Sequence, residues 1–271
     1  MDIFSENIIE INIKNINNIY EVYFNKCIYI SNSIKVYEGV NITTKEKLLI
    51  EIYNYDIIFF AKRLKNKIIK IEHPNIINII DIIIESNDIY FIKPFIKKTI
   101  RDVKLNIHNI FKEIIRAIKY LFDKNIDIDY LTTNNIYYDD NDKCIKISPF
   151  FNMRITQNKI LYGSPLYSPP EIIINIKNEK EETLVYNIGV LLYQLYFNNY
   201  EIKDYKNILY DLDDTNELYD VFMNIFHKNT NRCSIIHLYE YFNSYIKKKS
   251  KNIRDIRENI MEYHDIFFLE M

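Results

Sequence analysis

The chain has 271 residues, of which 48% are hydrophobic and 27% charged, and its 35 basic and 37 acidic side chains give a formal net charge of −2. The apolar content excludes a disordered chain, and the near-neutral charge excludes the strongly basic surface of a nucleic-acid-binding domain. No apolar run approaches the roughly 18 residues that span a bilayer, and the start lacks the basic-then-apolar pattern of a secretion signal. We therefore expect a cytoplasmic protein with no membrane or nucleic-acid partner.

The cysteines and histidines indicate neither a disulfide framework nor a metal site. The three cysteines are far apart, and none belongs to a Cys-x-x-Cys pair; the five histidines show no paired spacing on one helix face. We expect reduced thiols, no metal and no cofactor. The residues concerned are Cys27, Cys144, Cys233, His73, His108, His227, His237 and His264.

The first part of the chain is predicted to form antiparallel strands, separated by turns that contain Asn and Ser. A helix is expected over residues 57–71, where apolar residues have helical spacing. It should end before His73-Pro74, because proline disfavours helix in the residue that precedes it. The predicted strands are 21–24, 27–30, 34–37, 47–53, 76–85 and 88–92.

From residue 96 onward the pattern becomes mainly helical. Apolar residues recur every three or four positions over 107–121, which predicts a long amphipathic helix, and 184–197 is apolar nearly all round, as a fully buried helix requires. Two short strands, 136–138 and 144–147, flank a hairpin turn. The sequence therefore predicts an α+β protein with a single domain over 1–271, divided into a sheet-rich part (about 20–95) and a helical part (96–246).

The segment 247–271 combines a basic run with a predicted amphipathic helix. Its apolar residues alternate at spacings of three and four from Ile253 to Phe267. This helix could present a stripe to a partner protein, or it could pack on its own domain.

Several segments resemble motifs of the protein kinase fold, in the same order along the chain. Residues 73–77, His-Pro-Asn-Ile-Ile, match the turn before the fourth strand of the small lobe, and residues 163–171, Gly-Ser-Pro-Leu-Tyr-Ser-Pro-Pro-Glu, are similar to the end of the activation segment. The resemblance covers about 20–246 and implies a bilobal fold, with a small antiparallel sheet and one helix in the first lobe and mostly helices in the second. The other matching segments are 35–39, 117–125, 187–193 and 231–234.

The resemblance also implies structural roles for five residues. Glu171, at the end of the activation segment, should form a buried ion pair with Arg232. Ile128 and Phe150 take the spine positions of the histidine and phenylalanine of the family. Leu184 takes the position of the aspartate that normally holds the catalytic loop, so we expect an apolar contact there in place of a polar one.

The same alignment places other residues where the family has catalytic groups. Phosphoryl transfer by a kinase uses a strand lysine held by a helix glutamate, a base aspartate, and an aspartate and an asparagine that bind magnesium. The strand lysine is replaced by Glu51, its glutamate partner by Leu64, the base by Tyr130 and the metal-binding aspartate by Pro149, whereas Asn135 is retained. The sequence therefore predicts a catalytically inactive pseudokinase that is not an enzyme.

A lysine at the back of the predicted nucleotide pocket gives a hypothesis about what occupies this pocket. Lys93 takes the gatekeeper position of the family. We expect it to reach Glu51, so that the pair fills the pocket; alternatively, Lys93 extends its amine to solvent along an apolar stem.

A kinase scaffold without catalytic groups would act by binding. The low glycine count of 3 indicates an AT-rich coding genome, and together with the segment 166–171 the chain looks like the poxviral homologues of the mixed lineage kinase domain-like pseudokinase. That resemblance implies a decoy that sequesters a host receptor-interacting kinase and inhibits necroptosis. Two alternatives remain: an allosteric scaffold for an active kinase, and a phosphotransferase with an atypical nucleotide pose, in which Asp129 could serve as a shifted base.

Overall fold

The computed structural model describes most of the chain in separate ranges. They are residues 13–30, 34–54, 65, 68–85, 88–104, 106–126, 131–148, 153–156, 159–162, 167, 169, 180–198, 217–226 and 232–244.

The first half of the chain forms a six-stranded antiparallel sheet with the strand order β1-β2-β3-β4-β6-β5. Its strands are β1 (Ile13–Ile16), β2 (Tyr20–Ile30), β3 (Ile34–Asn41), β4 (Lys47–Asn54), β5 (Asp81–Glu85) and β6 (Asp88–Pro94).

Strands β4 and β6 are central, and both of their faces are buried. Because side chains alternate between the two faces, Leu48 and Ile50 join a small outer cluster, whereas Leu49 and Tyr53 join the main core. Strands β2, β3 and β4 approach closely at Gly39, where an added Cβ would lie 2.5 Å from the backbone oxygen of Glu21. Both faces of the central strands therefore exclude water, which sets the environment of any polar group placed there.

The described residues of the second half contain four long helices. The first, α1 (Ile107–Asp123), begins at Asn106, whose side chain accepts hydrogen bonds from the backbone N–H groups of His108 and Asn109. Its apolar face is buried in the main core, and α2 is buried along most of its length. The remaining helices are α2 (Lys180–Phe197), α3 (Tyr219–Phe226) and α4 (residues 235–244).

The described ranges also contain five short strands: β7 (Lys98–Thr99), β8 (Ile136–Asp139), β9 (Cys144–Ile147), β10 (Met153–Thr156) and β11 (Lys159–Tyr162). Strand β9 ties the two halves together, because the N–H of Ile77 donates to the carbonyl of Ile147 at 2.9 Å, and the N–H of Ile147 donates to the carbonyl of Asn75 at 2.9 Å. The side-chain Nδ2 of Asn75 donates a further hydrogen bond to the carbonyl of Ile145 at 2.9 Å. Strand β9 is thereby fixed against residues 75–77, which precede β5.

The structure differs from the sequence prediction at several elements. The two strands expected over 21–24 and 27–30 form one strand, β2, with irregular register against β3 between Val22 and Tyr29. The turn expected at Asn25 is thus an irregularity inside a strand. The strand expected over 76–85 begins only at Asp81, and β1, β10 and β11 were not predicted.

Most of the helix expected over 57–71, and all of the C-terminal segment 247–271, lie outside the described residues. Among the helices of the described ranges, none is long and apolar enough to cross a membrane. The three cysteines are free thiols.

Candidate functional site

Glu51 and Lys93 form a fully buried ion pair between two neighbouring strands. In the β4–β6 ladder, Leu49 lies opposite Lys93, so Glu51 is two positions further along and its side chain emerges on the same face. Lys93 Nζ lies 2.7 Å from Glu51 Oε2, and the two side chains are 0% and 1% exposed. The structure therefore brings together the two residues that the pocket hypothesis paired, and it excludes the alternative in which Lys93 extends to solvent.

Two hydroxyl groups complete a buried cluster around this pair. Lys93 Nζ also donates to Ser148 Oγ at 2.8 Å, and the Tyr53 hydroxyl donates to Glu51 Oε2 at 3.3 Å. Ser148 follows β9, and its N–H donates to the carbonyl of Asn135 at 2.8 Å. These four side chains, Glu51, Lys93, Ser148 and Tyr53, are called the ion-pair cluster, and they connect the sheet to the loop that contains Asn135.

Burial shifts the pKa of both charged groups towards neutrality. It raises the pKa of Glu51 to about 7, although the attraction of Lys93 opposes this rise. It lowers the pKa of Lys93 to about 8, and here the attraction of Glu51 opposes the fall. The nearby Tyr137 is also buried, and burial together with the charge of Glu51 raises its pKa. Each charge of the pair is therefore retained in the core mainly through its partner.

The loop that precedes the 3₁₀ turn Thr133–Asn135 is held by an asparagine of helix α2. Asn187 Oδ1 accepts a hydrogen bond from the N–H of Leu131 at 2.7 Å, and its Nδ2 donates to the carbonyl of Leu131 at 3.0 Å. The Asn187 residue is only 1% exposed. One side chain thus satisfies both polar groups of a buried peptide position.

Asn187 makes a polar contact that the alignment did not predict. Leu184 lies in the main core, as expected of an apolar residue. The side chain that hydrogen-bonds to the loop is that of Asn187, three positions later. Residues three apart lie on the same side of a helix, so Asn187 can serve the same loop. The sequence signal was an amide side chain within a mostly apolar stretch of helix α2.

Asn135, the retained member of the predicted catalytic set, turns its amide oxygen towards its own loop. Asn135 Oδ1 accepts from the N–H of Thr132 at 3.1 Å and from the Thr132 hydroxyl at 2.7 Å. The residue is 8% exposed. In this arrangement the oxygen stabilises the 3₁₀ turn.

Six of the predicted site residues lie outside the described ranges, so their predicted roles stay predictions. Arg232 is described: its Nε donates to the carbonyl of Ile225 at 3.1 Å, and its guanidinium lies 5.1 Å from the centre of the Tyr186 ring. Its predicted pairing with Glu171 is not tested. The six residues are Leu64, Ile128, Tyr130, Pro149, Phe150 and Glu171.

Comparison with known proteins identifies the family. The family model of the protein kinase domain matches residues 35–265. CBL-interacting protein kinase 11 of Oryza sativa subsp. japonica is 24% identical over 183 residues, which cover 59% of this chain and 36% of that protein. The probable serine/threonine-protein kinase fhkD of Dictyostelium discoideum is 31% identical over 153 residues, 46% of this chain and 20% of that protein. The match therefore spans well under half the length of either relative.

A solved structure shows the same fold. The crystal structure of Rad53 1-466 in complex with AMP-PNP superposes with a TM-score of 0.64 at 18% identity, covering 84% of this chain and 64% of that one. The prediction of an α+β bilobal protein-kinase-like fold, with an antiparallel sheet in the first lobe and helices in the second, is confirmed.

The prediction that the chain is not an enzyme is contradicted by these comparisons, because both the matched family and the relatives named as serine/threonine kinases point to a kinase. That prediction transferred catalytic roles position by position from the resemblance. Most of the replaced positions also lie outside the described residues. This chain belongs to the protein kinase domain family.

Proposed function

We propose that this protein kinase domain acts by binding another protein kinase in the cytosol, and that the partner is a host receptor-interacting kinase of the necroptosis pathway. The chain would then serve as a viral decoy that limits this form of cell death. The choice of partner comes from the resemblance of the segment 166–171 to poxviral homologues of the mixed lineage kinase domain-like pseudokinase. The proposal concerns binding, and it is compatible with phosphoryl transfer by the same domain.

The ion-pair cluster is the observation that supports a protein rather than a nucleotide as the principal ligand. Glu51 presents a carboxylate at the strand position where the family has its phosphate-binding lysine, and Lys93 and Tyr53 hold it there. Lys93 Nζ lies 2.7 Å from this carboxylate and neutralises it, so the pair offers no net positive charge to attract phosphate oxygens. The amine of Lys93 is directed at Glu51 and Ser148. Binding energy is therefore more readily gained on the outer surface than at this strand position.

Binding can be measured with purified proteins. The full chain is immobilised, and the kinase domain of a receptor-interacting kinase is passed over it, with an unrelated serine/threonine kinase domain as the matched control. We expect a Kd of about 1 μM or tighter, equivalent to about −8 kcal/mol, for the first domain only. Equal responses for the two domains up to roughly a hundredfold higher concentration would reject the proposal.

The activity of the bound partner separates a decoy from an allosteric scaffold. A decoy should leave the specific activity of the partner kinase towards a peptide substrate unchanged while blocking its assembly. A scaffold should raise or lower that activity in proportion to occupancy.

Phosphoryl transfer is the second candidate function, and family membership is the observation that favours it. Thermal unfolding with and without ATP, at equal magnesium, tests the first requirement of this reaction. A hundredfold excess of ATP over its dissociation constant stabilises a binding protein by about 2.7 kcal/mol. Stabilisation of this size, followed by transfer of labelled phosphate to a protein hydroxyl, would establish a kinase; no shift would leave binding as the function.

A further inference from the structure

A continuous chain of hydrogen bonds leads from the six-stranded sheet into the loop 131–135. It begins at the ion pair, where Lys93 Nζ donates to Glu51 Oε2 at 2.7 Å and to Ser148 Oγ at 2.8 Å. The backbone N–H of Ser148 then donates to the carbonyl of Asn135 at 2.8 Å. Glu51, Lys93 and Ser148 are at most 1% exposed, so water can replace these bonds only after the structure opens locally.

The loop 131–135 is also held by side chains from the second half of the chain. Asn187 of helix α2 binds both backbone polar groups of Leu131, and Arg101 Nε donates to Thr133 Oγ1 at 2.7 Å. Neither contact involves the six-stranded sheet. These two contacts fix the start and the middle of the loop, whereas its last residue is connected through Lys93 to strand β6.

The amine of Lys93 is suited to this connection because it serves two acceptors on different elements. An ammonium group has three N–H donors, and its charge-assisted hydrogen bonds are shorter and stronger than neutral ones. Glu51 anchors the amine on the sheet, and Ser148 accepts from it at the end of β9. Separating the sheet from this loop must therefore break a charge-assisted hydrogen bond in a buried site. The bridge from Glu51 through Lys93 to Ser148 is called the latch.

The loop conformation that the latch maintains determines where the Asn135 side chain points. Its Oδ1 accepts from the N–H of Thr132 at 3.1 Å and from the Thr132 hydroxyl at 2.7 Å, while its carbonyl accepts from Ser148. Asn135 thus has its side chain bound within the loop and its backbone bound to the latch. It lies where the family has a magnesium-binding asparagine, so the latch keeps the oxygen of that side chain occupied.

We propose that Lys93 is a positioning residue that latches the sheet to the loop 131–135 and keeps the Asn135 amide oxygen turned towards Thr132. Release of Lys93 from Ser148 loosens the loop. A ligand or partner that draws the Lys93 amine towards itself would bring about this release. The inference goes beyond the proposed function, because it concerns the conformation of the loop and holds for a binding protein and for a kinase alike.

Two variants that each remove one hydroxyl test the latch by amide hydrogen exchange. Ser148→Ala removes the acceptor that leads to the loop. Tyr53→Phe is the matched control, because it removes a hydroxyl that binds the same ion pair from within strand β4. A hydrogen bond to a charged group is typically strong enough to change local opening at least about tenfold. We expect the amides of Leu131, Thr132 and Asn135 to exchange faster by about this factor in Ser148→Ala, and within about twofold of the parent in Tyr53→Phe.

The double variant Glu51→Leu/Lys93→Met distinguishes the latch from a local role of Ser148. It removes the amine, so the loop should already exchange about tenfold faster than in the parent. Adding Ser148→Ala should then change the rate by less than about twofold, because the two changes remove the same contact. Rates are expressed relative to the amides of helix α1, which report a general loss of stability.

Three exchange results would overturn the proposal. They are unchanged loop exchange in Ser148→Ala, equal acceleration in Ser148→Ala and Tyr53→Phe, and an equal effect of Ser148→Ala in the parent and in the double variant. The side-chain amide resonance of selectively labelled Asn135 gives an independent readout. It should shift in Ser148→Ala and keep its position in Tyr53→Phe, and an unchanged resonance in Ser148→Ala would also overturn the proposal.

Discussion

The ion pair between Glu51 and Lys93 gives a quantitative prediction for folding stability. Removing one partner, as in Glu51→Leu or Lys93→Met, leaves an uncompensated charge in a site that is at most 1% exposed. Such changes typically cost about 3–5 kcal/mol. Replacing both by Leu and Met removes the desolvation penalty of both charges, which typically gains about 1–4 kcal/mol, but leaves the hydroxyls of Tyr53 and Ser148 with one partner fewer, at about 1 kcal/mol each.

The double variant should therefore lie within about 2 kcal/mol of the parent, whereas each single variant is destabilised by at least 3 kcal/mol. Urea unfolding of the four proteins at pH 7.5 measures this as a double-mutant cycle. The expected coupling is several kcal/mol. Additive effects of the two single changes would show that the side chains do not interact as the 2.7 Å distance implies, and the reasoning would be refuted.

The pH dependence of folding stability, compared between the parent and the double variant, gives a second prediction. The raised pKa of Glu51, about 7, means that the folded state holds a proton that the unfolded chain releases at lower pH. Its contribution to stability is present below the ordinary value of 4.5 and is lost as the pH rises through about 7. The lowered pKa of Lys93 has the opposite effect, because its contribution is present above 10.5 and is lost as the pH falls through about 8.

The free energy of unfolding of the parent, measured relative to the double variant, should therefore pass through a minimum between about pH 7 and pH 8. At about 1.4 kcal/mol per pKa unit, the rise on either side should be a few kcal/mol. A difference that stays flat from pH 5 to pH 10 would contradict the shifted pKa values.

Further substitutions test the packing around the site. Asn187→Leu should destabilise the chain by about 1–3 kcal/mol for each polar group of Leu131 left unpaired, and hydrogen exchange at the Leu131 amide should accelerate more than exchange in α1; a loss below 1 kcal/mol would show that the loop finds other partners. Gly39→Ala should cost more than Gly189→Ala, because the new Cβ at position 39 meets the backbone oxygen of Glu21 at 2.5 Å, whereas at position 189 the close atoms belong to side chains. Overpacking of this kind costs about 1–3 kcal/mol, and thermal unfolding would rank the two variants.

The parts of the fold that the sequence predicted are those with a regular apolar period. Helix α1 was predicted because its apolar residues recur with 3.6-residue spacing, and the buried part of α2 was predicted because its sequence is apolar nearly all round. The long strand β2 was divided in two because the polar pair Asn25-Lys26 looks like a turn, whereas the structure accommodates it as an irregularity in register. Strand β1, with four residues, is too short to carry a clear alternating pattern. Local patterns cannot distinguish an irregular strand from a turn, because the difference is made by the neighbouring strand.

One part of the candidate site could be predicted from the sequence and the other could not. The contact between Glu51 and Lys93 could be anticipated, because strand register fixes which residues on adjacent strands share a face, and a kinase-like sheet fixes which strands are adjacent. The hydrogen bonds of Asn187 could not, since the alignment gave the role of holding the loop to position 184. A helix offers neighbouring positions on one face, and a buried peptide group needs only some side chain within about 3 Å. Loss of a family residue from its aligned position therefore shows that this residue has changed, while the physical task it performed can persist elsewhere in the fold.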